Sequence, residues 1–309
     1  MATSAPAEPA SAHPRAVRPA PGAVLELLKP ITWFPPMWAF ACGVAASGAD
    51  LAAAWPLALL GVVLAGPLVC GMSQAVNDWF DRHVDAVNEP QRPIPSGRLP
   101  GRTGLWVAVA WTALSLGVGW LLGPWGFAAT ALGVALAWAY SAPPLRLKRD
   151  GWTGNAACAL SYETLPWITA AAVLAGGAPD PRVAGVALLY GLGAHGIMTL
   201  NDFKSIEGDR RFGILSLPVR LGPERAARLA CVAMAVPQVA VLVLLWAWGA
   251  PWHAGAVAAS LLLQLLCMAR LLRDPRGLAP WYNGTGVLLY VLGMMASALA
   301  LRPALGAAG

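Results

Sequence analysis

Charge is what this chain has least of. Only 12% of its 309 residues are charged and 58% are hydrophobic, whereas an average soluble domain carries about 25% charged residues. An ordinary water-facing surface is therefore excluded. Cysteine is also sparse: Cys42, Cys70, Cys158, Cys231 and Cys267 contain no CxxC pair, which argues against a disulfide framework or a zinc site. Each is expected to be a small buried hydrophobe. The first 22 or so residues are rich in Ala and Pro. They lack the apolar core of a signal peptide and read as a disordered cytoplasmic tail.

Apolar length is abundant instead. Runs near 20 residues recur along the chain, each long enough to cross a bilayer. Nine spans are expected, at 31–49, 56–77, 104–122, 124–141, 155–176, 182–201, 227–248, 252–271 and 282–301. The expected fold is all-α: a polytopic bundle of nine transmembrane helices, forming one membrane-embedded domain over residues 23–309. Pro35-Pro36, Pro166 and Pro237 interrupt three of the spans. Neighbouring helices can satisfy the carbonyls that such breaks release.

The basic residues test this map. Arg15, Arg18 and Lys29 precede the first span. Arg82, Arg92, Arg98 and Arg102, then Arg146, Lys148 and Arg149, fall in the next two loops on the same side. Lys204, Arg210, Arg211, Arg220, Arg225 and Arg228, then Arg270, Arg273 and Arg276, complete the pattern, leaving only Arg182 and Arg302 of the 21 on the other face. An excess of Lys and Arg marks the cytoplasmic side. The N-terminus is therefore expected in the cytoplasm and the C-terminus in the periplasm. The net charge of +6 follows from this topology and does not indicate nucleic-acid binding.

The acids gather at the ends of two of these helices. Asn77, Asp81 and Asp85 fall at i, i+4 and i+8, with Asp78 beside them, so a continuing helix presents them on one side. Like charges so close repel unless a cation lies between them. Oxygen-only ligands suit a hard ion such as Mg²⁺, which keeps coordination places for substrate phosphates. A solvated helix end is the competing reading, but ionisable clusters at membrane depth are usually functional. The plan recurs at Asn201 and Asp202, with Ser205 and Asp209 again at i+4 and i+8 from Asn201. Glu207 points elsewhere, and Gly208 weakens the helix. Two acidic helix ends on one side suggest a pseudo-repeat able to hold a diphosphate between them through Mg²⁺.

These motifs carry a resemblance. Asn77-Asp78-x-x-Asp81-x-x-x-Asp85 and the second acidic loop resemble the UbiA superfamily of intramembrane prenyltransferases. The stretches Asn88-Glu89-Pro90-Gln91-Arg92-Pro93-Ile94-Pro95-Ser96-Gly97 and Asn201-Asp202-Phe203-Lys204-Ser205-Ile206-Glu207-Gly208-Asp209 are similar to its chlorophyll synthase branch. So are Pro30 to Trp38 and Tyr140 to Lys148, and Gly66 to Ala75 looks most like the bacteriochlorophyll enzymes of purple bacteria. The second motif departs from the Asp-x-x-x-Asp of many members, because Ser205 occupies its first acidic position.

The resemblance implies esterification of the propionate of bacteriochlorophyllide a with geranylgeranyl or phytyl diphosphate, in a bacterial inner, intracytoplasmic membrane. Asp78, Asp81, Asp85, Asp202 and Asp209 are then the expected metal ligands, and all but Asp202 are also expected to be catalytic. Asn77, Arg92, Arg146, Lys148, Asn201, Asp202, Lys204 and Ser205 are expected at the diphosphate. Trp33, Phe34, Trp79, Phe80 and His195 are candidates for the pigment cavity. Packing explains Trp79 and Phe80 as readily. For His195, a hydrogen bond between helices competes with an axial contact to the chlorin magnesium. Photosynthetic assembly proteins are candidate partners. Glu163 and Gln264 are polar groups within apolar spans; Glu163 either bonds inside the bundle or lines the tail tunnel. Three rivals remain: another enzyme of this superfamily, such as a chlorophyll a, quinone or haem O type; a pigment carrier or assembly factor without turnover; and a transporter with a midplane cation site.

Overall fold

The computed structural model describes residues 20–306, and side chains as far as Arg302. The expected tail lies outside the described residues except for its last three, of which Pro21 and Gly22 already open a helix. The helices in order are α1 (Pro21–Leu28), α2 (Phe34–Ala46), α3 (Leu51–Val63), α4 (Gly71–Asn88), α5 (Thr103–Leu121), α6 (Gly123–Ser141) and α7 (Gly151–Ala159). There follow α8 (Leu165–Ala175), α9 (Pro181–Asn201), α10 (Ile206–Arg211), α11 (Leu217–Leu221), α12 (Pro223–Ala247), α13 (Pro251–Leu271) and α14 (Pro275–Gly306). The described residues contain no strand, only a single bridge between Asp150 and Leu215.

Local chemistry explains where these helices begin. Proline opens α1, α9, α12, α13 and α14, a position where its missing N–H costs nothing. The Asp50, Asp150 and Asp180 side chains accept from the first free amides of α3, α7 and α9, satisfying donors that no helical carbonyl reaches. Gly176 closes α8 in the left-handed conformation at φ 65°. Between α3 and α4 the helix widens into a π-helical stretch, Leu64–Cys70, around Pro67; a shorter one, Leu160–Thr164, precedes Pro166. Proline has no amide to donate, so the hydrogen-bond ladder shifts register near it.

Seven helical stretches among the described residues are long and apolar enough to cross a membrane. They are Leu51–Asn88, Thr103–Leu121, Gly151–Ala175, Pro181–Arg211, Pro223–Ala247, Pro251–Leu271 and Pro275–Arg302. The other two expected spans are also helical but fall outside this set. Phe34–Ala46 is apolar but only 13 residues long, because the first part of 31–49 is taken by a tight turn over Pro30–Thr32. Gly123–Ser141 is long enough at 19 residues, but its glycines, proline, tryptophans and tyrosine keep its mean hydropathy below that of the seven.

Two cores hold the bundle. The larger joins α2, α8, α9, α12, α13 and α14 around the fully buried Trp167, Tyr190, Tyr282 and Tyr290. The smaller packs α1 and α4 against α5 and α6 through Leu27, Met72, Val76 and Ala108. The outward faces carry residues such as Trp106, Leu192, Val236 and Leu266, each more than half exposed, as a lipid-facing surface requires. Small residues let helices approach closely. A Cβ on Gly196 of α9 would overlap the Ala230 carbonyl on α12, whereas one on Gly117 of α5 meets nothing within 4 Å. Gly196→Val is therefore expected to separate α9 from α12 and cost about 1–3 kcal/mol, the usual range for overpacking. Gly117→Ala should be neutral or slightly stabilising. Thermal unfolding of the two purified variants in one detergent checks the contrast.

Candidate functional site

A cavity of about 720 Å³ opens where α2, α4, α6, α7, α9 and α14 meet, a size typical of small-molecule sites. Its walls are mostly apolar: Leu136, Ile197, Val287, Leu288 and Val291 among others. Both motif asparagines, Asn77 and Asn201, contribute to this one wall, and Lys204 joins them. The two acidic helix ends thus border a shared space. The motif acids themselves are not on its wall.

The first motif sits at the end of one continuous helix that runs through Asn88. Asp78 is 2% exposed, and Lys29 Nζ lies 2.6 Å and Arg92 Nη1 3.3 Å from its Oδ1. Arg92 Nη1 also donates to Asp85 Oδ2 at 2.8 Å, and its other arm pairs with Glu89. Asp81 Oδ1 accepts from Lys148 Nζ at 2.5 Å and lies 3.4 Å from Arg146 Nη2. Burial pulls the Arg92 guanidinium down, but Asp78, Asp85 and Glu89 together outweigh it and hold Arg92 above the usual arginine value. Burial brings the Lys148 ammonium below the usual lysine range, with Asp81 opposing the shift.

Lys29 and Arg146 are the two non-glycine residues with positive φ among those described, at 48° and 41°. L-residues reach this region only at a cost of about 1–2 kcal/mol. Here each outlier faces an acid of the first motif. Strained backbone of this kind concentrates at functional sites.

The second motif is built differently from its expected helix. The chain tightens into a 3₁₀ turn over Asp202–Ser205 before α10 resumes at Ile206. The break falls there, and Gly208 lies inside α10. Asn155 Nδ2 donates to Asp202 Oδ2 at 3.1 Å. Ser205 Oγ donates to Asp209 Oδ2 at 3.0 Å, so the residue that replaces an acid supports the remaining one. Asn283 Nδ2 donates to Asn201 Oδ1 at 2.8 Å. Lys204 makes no ion pair among the described residues and faces the cavity.

The donor set suits a hard cation. It consists of carboxylate and amide oxygens, and Asp78 Oδ2 is enclosed without any partner, an acceptor that a cation would satisfy. Among the described residues, however, no three His, Cys, Asp or Glu side chains converge into a metal cluster. Asp78, Asp81 and Asp85 instead stand divided among protein cations.

The aromatic candidates separate. Phe34 lines the cavity. Trp33, Trp79, Phe80 and His195 are not on its wall. The Trp33 indole donates to the Leu28 carbonyl at 2.8 Å, Arg82 lies 4.2 Å above the Trp79 ring, and Phe80 packs edge-on against Trp138. His195 Nε2 lies 3.3 Å from the Trp152 carbonyl, and the two rings sit 5.7 Å apart. That is a hydrogen bond between α7 and α9, one of the two readings its sequence position allows.

Sequence reasoning missed four residues of the site. Lys29 was visible only as a topology marker. Asn155 and Asn283 were visible as amides inside apolar runs, the signal that could have found them. Tyr162, on the cavity wall, accepts from Gln74 Nε2 at 3.0 Å. The five cysteines are free; Cys42, Cys70 and Cys231 are buried as expected, whereas Cys158 and Cys267 are only half-buried.

Known proteins share this construction. The UbiA prenyltransferase family model matches residues 33–292. The bacteriochlorophyll synthase 33 kDa chain of Cereibacter sphaeroides is 64% identical over 94% of this chain and 96% of its own length. The chloroplastic chlorophyll synthase of Arabidopsis thaliana is 39% identical over 89% of this chain and 73% of that one. A solved UbiA homolog from Archaeoglobus fulgidus, bound to DMAPP and Mg²⁺, superposes with a TM-score of 0.69 over 90% of this chain and 99% of its own; at 20% identity this likeness speaks for the fold alone. Helices suited to a bilayer, an all-helical fold and a family match across most of the length agree, and this multi-pass membrane protein belongs to the UbiA prenyltransferase family.

Proposed function

We propose that this chain esterifies the propionate of bacteriochlorophyllide a with geranylgeranyl or phytyl diphosphate. The observation that carries the reading is that Asn77 and Asn201, each heading an acidic motif, line the same apolar cavity. That arrangement suits a substrate with an anionic head and a long hydrocarbon tail. The choice of acceptor rests on the 64% identity to a bacteriochlorophyll synthase chain, against 39% to a chlorophyll synthase.

The residues divide the work as follows. Asp78, Asp81, Asp85, Asp202 and Asp209 would hold Mg²⁺, whose charge, when bound, neutralises a departing diphosphate. Arg92, Arg146, Lys148 and Lys204 clamp the diphosphate oxygens, and Asn77, Asn201 and Ser205 fix its position by hydrogen bonds. The acceptor carboxylate is already ionised at neutral pH, so no general base is required. A carboxylate oxygen bonds to the allylic carbon. The bond from that carbon to diphosphate oxygen breaks, and its electron pair leaves with the diphosphate. Preorganised cations at the leaving group supply the stabilisation.

In this reading all nine expected segments span the bilayer, α2 and α6 included. The motifs and the N-terminus face the cytoplasm and the C-terminus faces the periplasm of a bacterial inner membrane. The Lys and Arg distribution supports that orientation. Photosynthetic assembly proteins remain the proposed partners.

Asp81→Asn is expected to abolish ester formation while membrane insertion is unchanged, read by chromatography of extracted pigment. Near-normal turnover would remove Asp81 from the mechanism. Chelation should stop the wild-type reaction and added Mg²⁺ restore it. Incubation with bacteriochlorophyllide, chlorophyllide and 4-hydroxybenzoate in parallel should yield prenylated product fastest with the first. Pigment binding without release of diphosphate would identify a carrier instead.

A further inference from the structure

The mechanism above leaves unused the one carboxyl among the described residues of the cavity wall. Glu163 lies in the π-helical stretch Leu160–Thr164, is only 3% exposed, and contributes to the cavity wall. Among the described residues no hydrogen bond or ion pair reaches its carboxyl, and its Oε2 is enclosed without a partner. No cation stands near enough to balance a charge there. An isolated carboxylate in such surroundings is so costly that the group stays protonated. A protonated carboxyl is one O–H donor with acceptor capacity beside it.

Its depth narrows what it can serve. Asn155, which holds Asp202 of the second motif, lies eight residues earlier on the same helical stretch. At 1.5 Å per residue that places Glu163 about 12 Å further into the membrane. The diphosphate is confined to the charged end of the cavity. The prenyl chain has no acceptor atom, and an unpaired carboxyl beside it is a penalty. The remaining occupant is the ring substrate. A bacteriochlorophyllide whose propionate reaches the motifs seats its ring deeper in the cavity, and that ring carries peripheral carbonyl oxygens besides the propionate.

We propose that Glu163 is a specificity-determining residue that donates a hydrogen bond to a peripheral carbonyl of the acceptor macrocycle. This rests on the esterification reading above. It gives the orphaned carboxyl a partner only when a carbonyl-bearing ring is seated. A site built to bond a polar group rejects an analogue lacking it, because its own buried group is then left unpaired.

The test uses the purified full chain, bacteriochlorophyllide and geranylgeranyl diphosphate. Resonance Raman spectra of pigment bound to the wild type should show one carbonyl stretch at lower wavenumber than in the same detergent without protein. Glu163→Leu should return that band to its free position and raise KM for pigment roughly tenfold, the size of one neutral hydrogen bond, leaving KM for the prenyl diphosphate unchanged. Glu163→Gln, which keeps N–H donors, should retain the shift. If Glu163→Leu does not insert, the wild-type and Glu163→Gln spectra decide. A carbonyl band at its free position in the wild type overturns the proposal. So does an unchanged pigment KM in Glu163→Leu, a rise confined to the prenyl diphosphate, or a change in the marker bands of the central metal in place of the carbonyl. Absence of any pigment ester with active, folded wild-type protein overturns the esterification reading itself.

Discussion

The structure depends on balancing carboxylates at the edge of an apolar medium. Asp78, Asp81 and Asp85 end a helix of 38 residues, where unpaired charge is expensive. Each acid finds a cation from a different part of the chain: Lys29 ahead of α2, Arg92 after α4, and Arg146 and Lys148 after α6. One cluster therefore ties three loops to one helix end. The bidentate pair from Arg98 to Glu26, at 2.6 and 2.8 Å, adds α1 to the same assembly.

That balance bears on function. Three of the cations that neutralise the acids, Arg92, Arg146 and Lys148, are also proposed to hold the diphosphate, so the site is charged on both sides before any ligand arrives. Under the proposed function an incoming anion would compete for Arg92, Arg146 and Lys148, and a divalent cation for the acids they release. Among the described residues Lys204 makes no ion pair and Asp78 Oδ2 has no hydrogen-bond partner. The second motif is held by neutral donors, Asn155, Ser205 and Asn283. The two halves of the repeat thus share a place on the cavity but not an electrostatic plan. The first is stapled by ion pairs, the second by hydrogen bonds.

Much of this was legible in the residues. Apolar run lengths located the helices long enough to cross a membrane but not the short α1, α10 and α11, and the spacing of Asn77, Asp81 and Asp85 needed only a continuing helix to place them together. Less was legible where the backbone leaves the regular pattern. The 3₁₀ turn over Asp202–Ser205 displaces the second motif from its expected stripe, because a tighter turn changes which residues share a side. Trp33, Trp79, Phe80 and His195 were plausible cavity residues by type, yet each has a partner elsewhere. Side-chain type records what a group can bond, and not which way its helix is turned.

By itself the sequence determined that this protein is an all-helical membrane bundle with two acidic helix ends, since hydropathy, proline and charge spacing act along the chain and need no knowledge of distant neighbours. Only the tertiary structure decided that Lys29 belongs to the site, that Asn155 and Asn283 hold the second motif, and that Glu163 faces the cavity without a partner. The contacts of Lys29, Asn155 and Asn283 join residues 47 to 82 positions apart. Burial and pairing are properties of the packed whole, and no local pattern of residues encodes them.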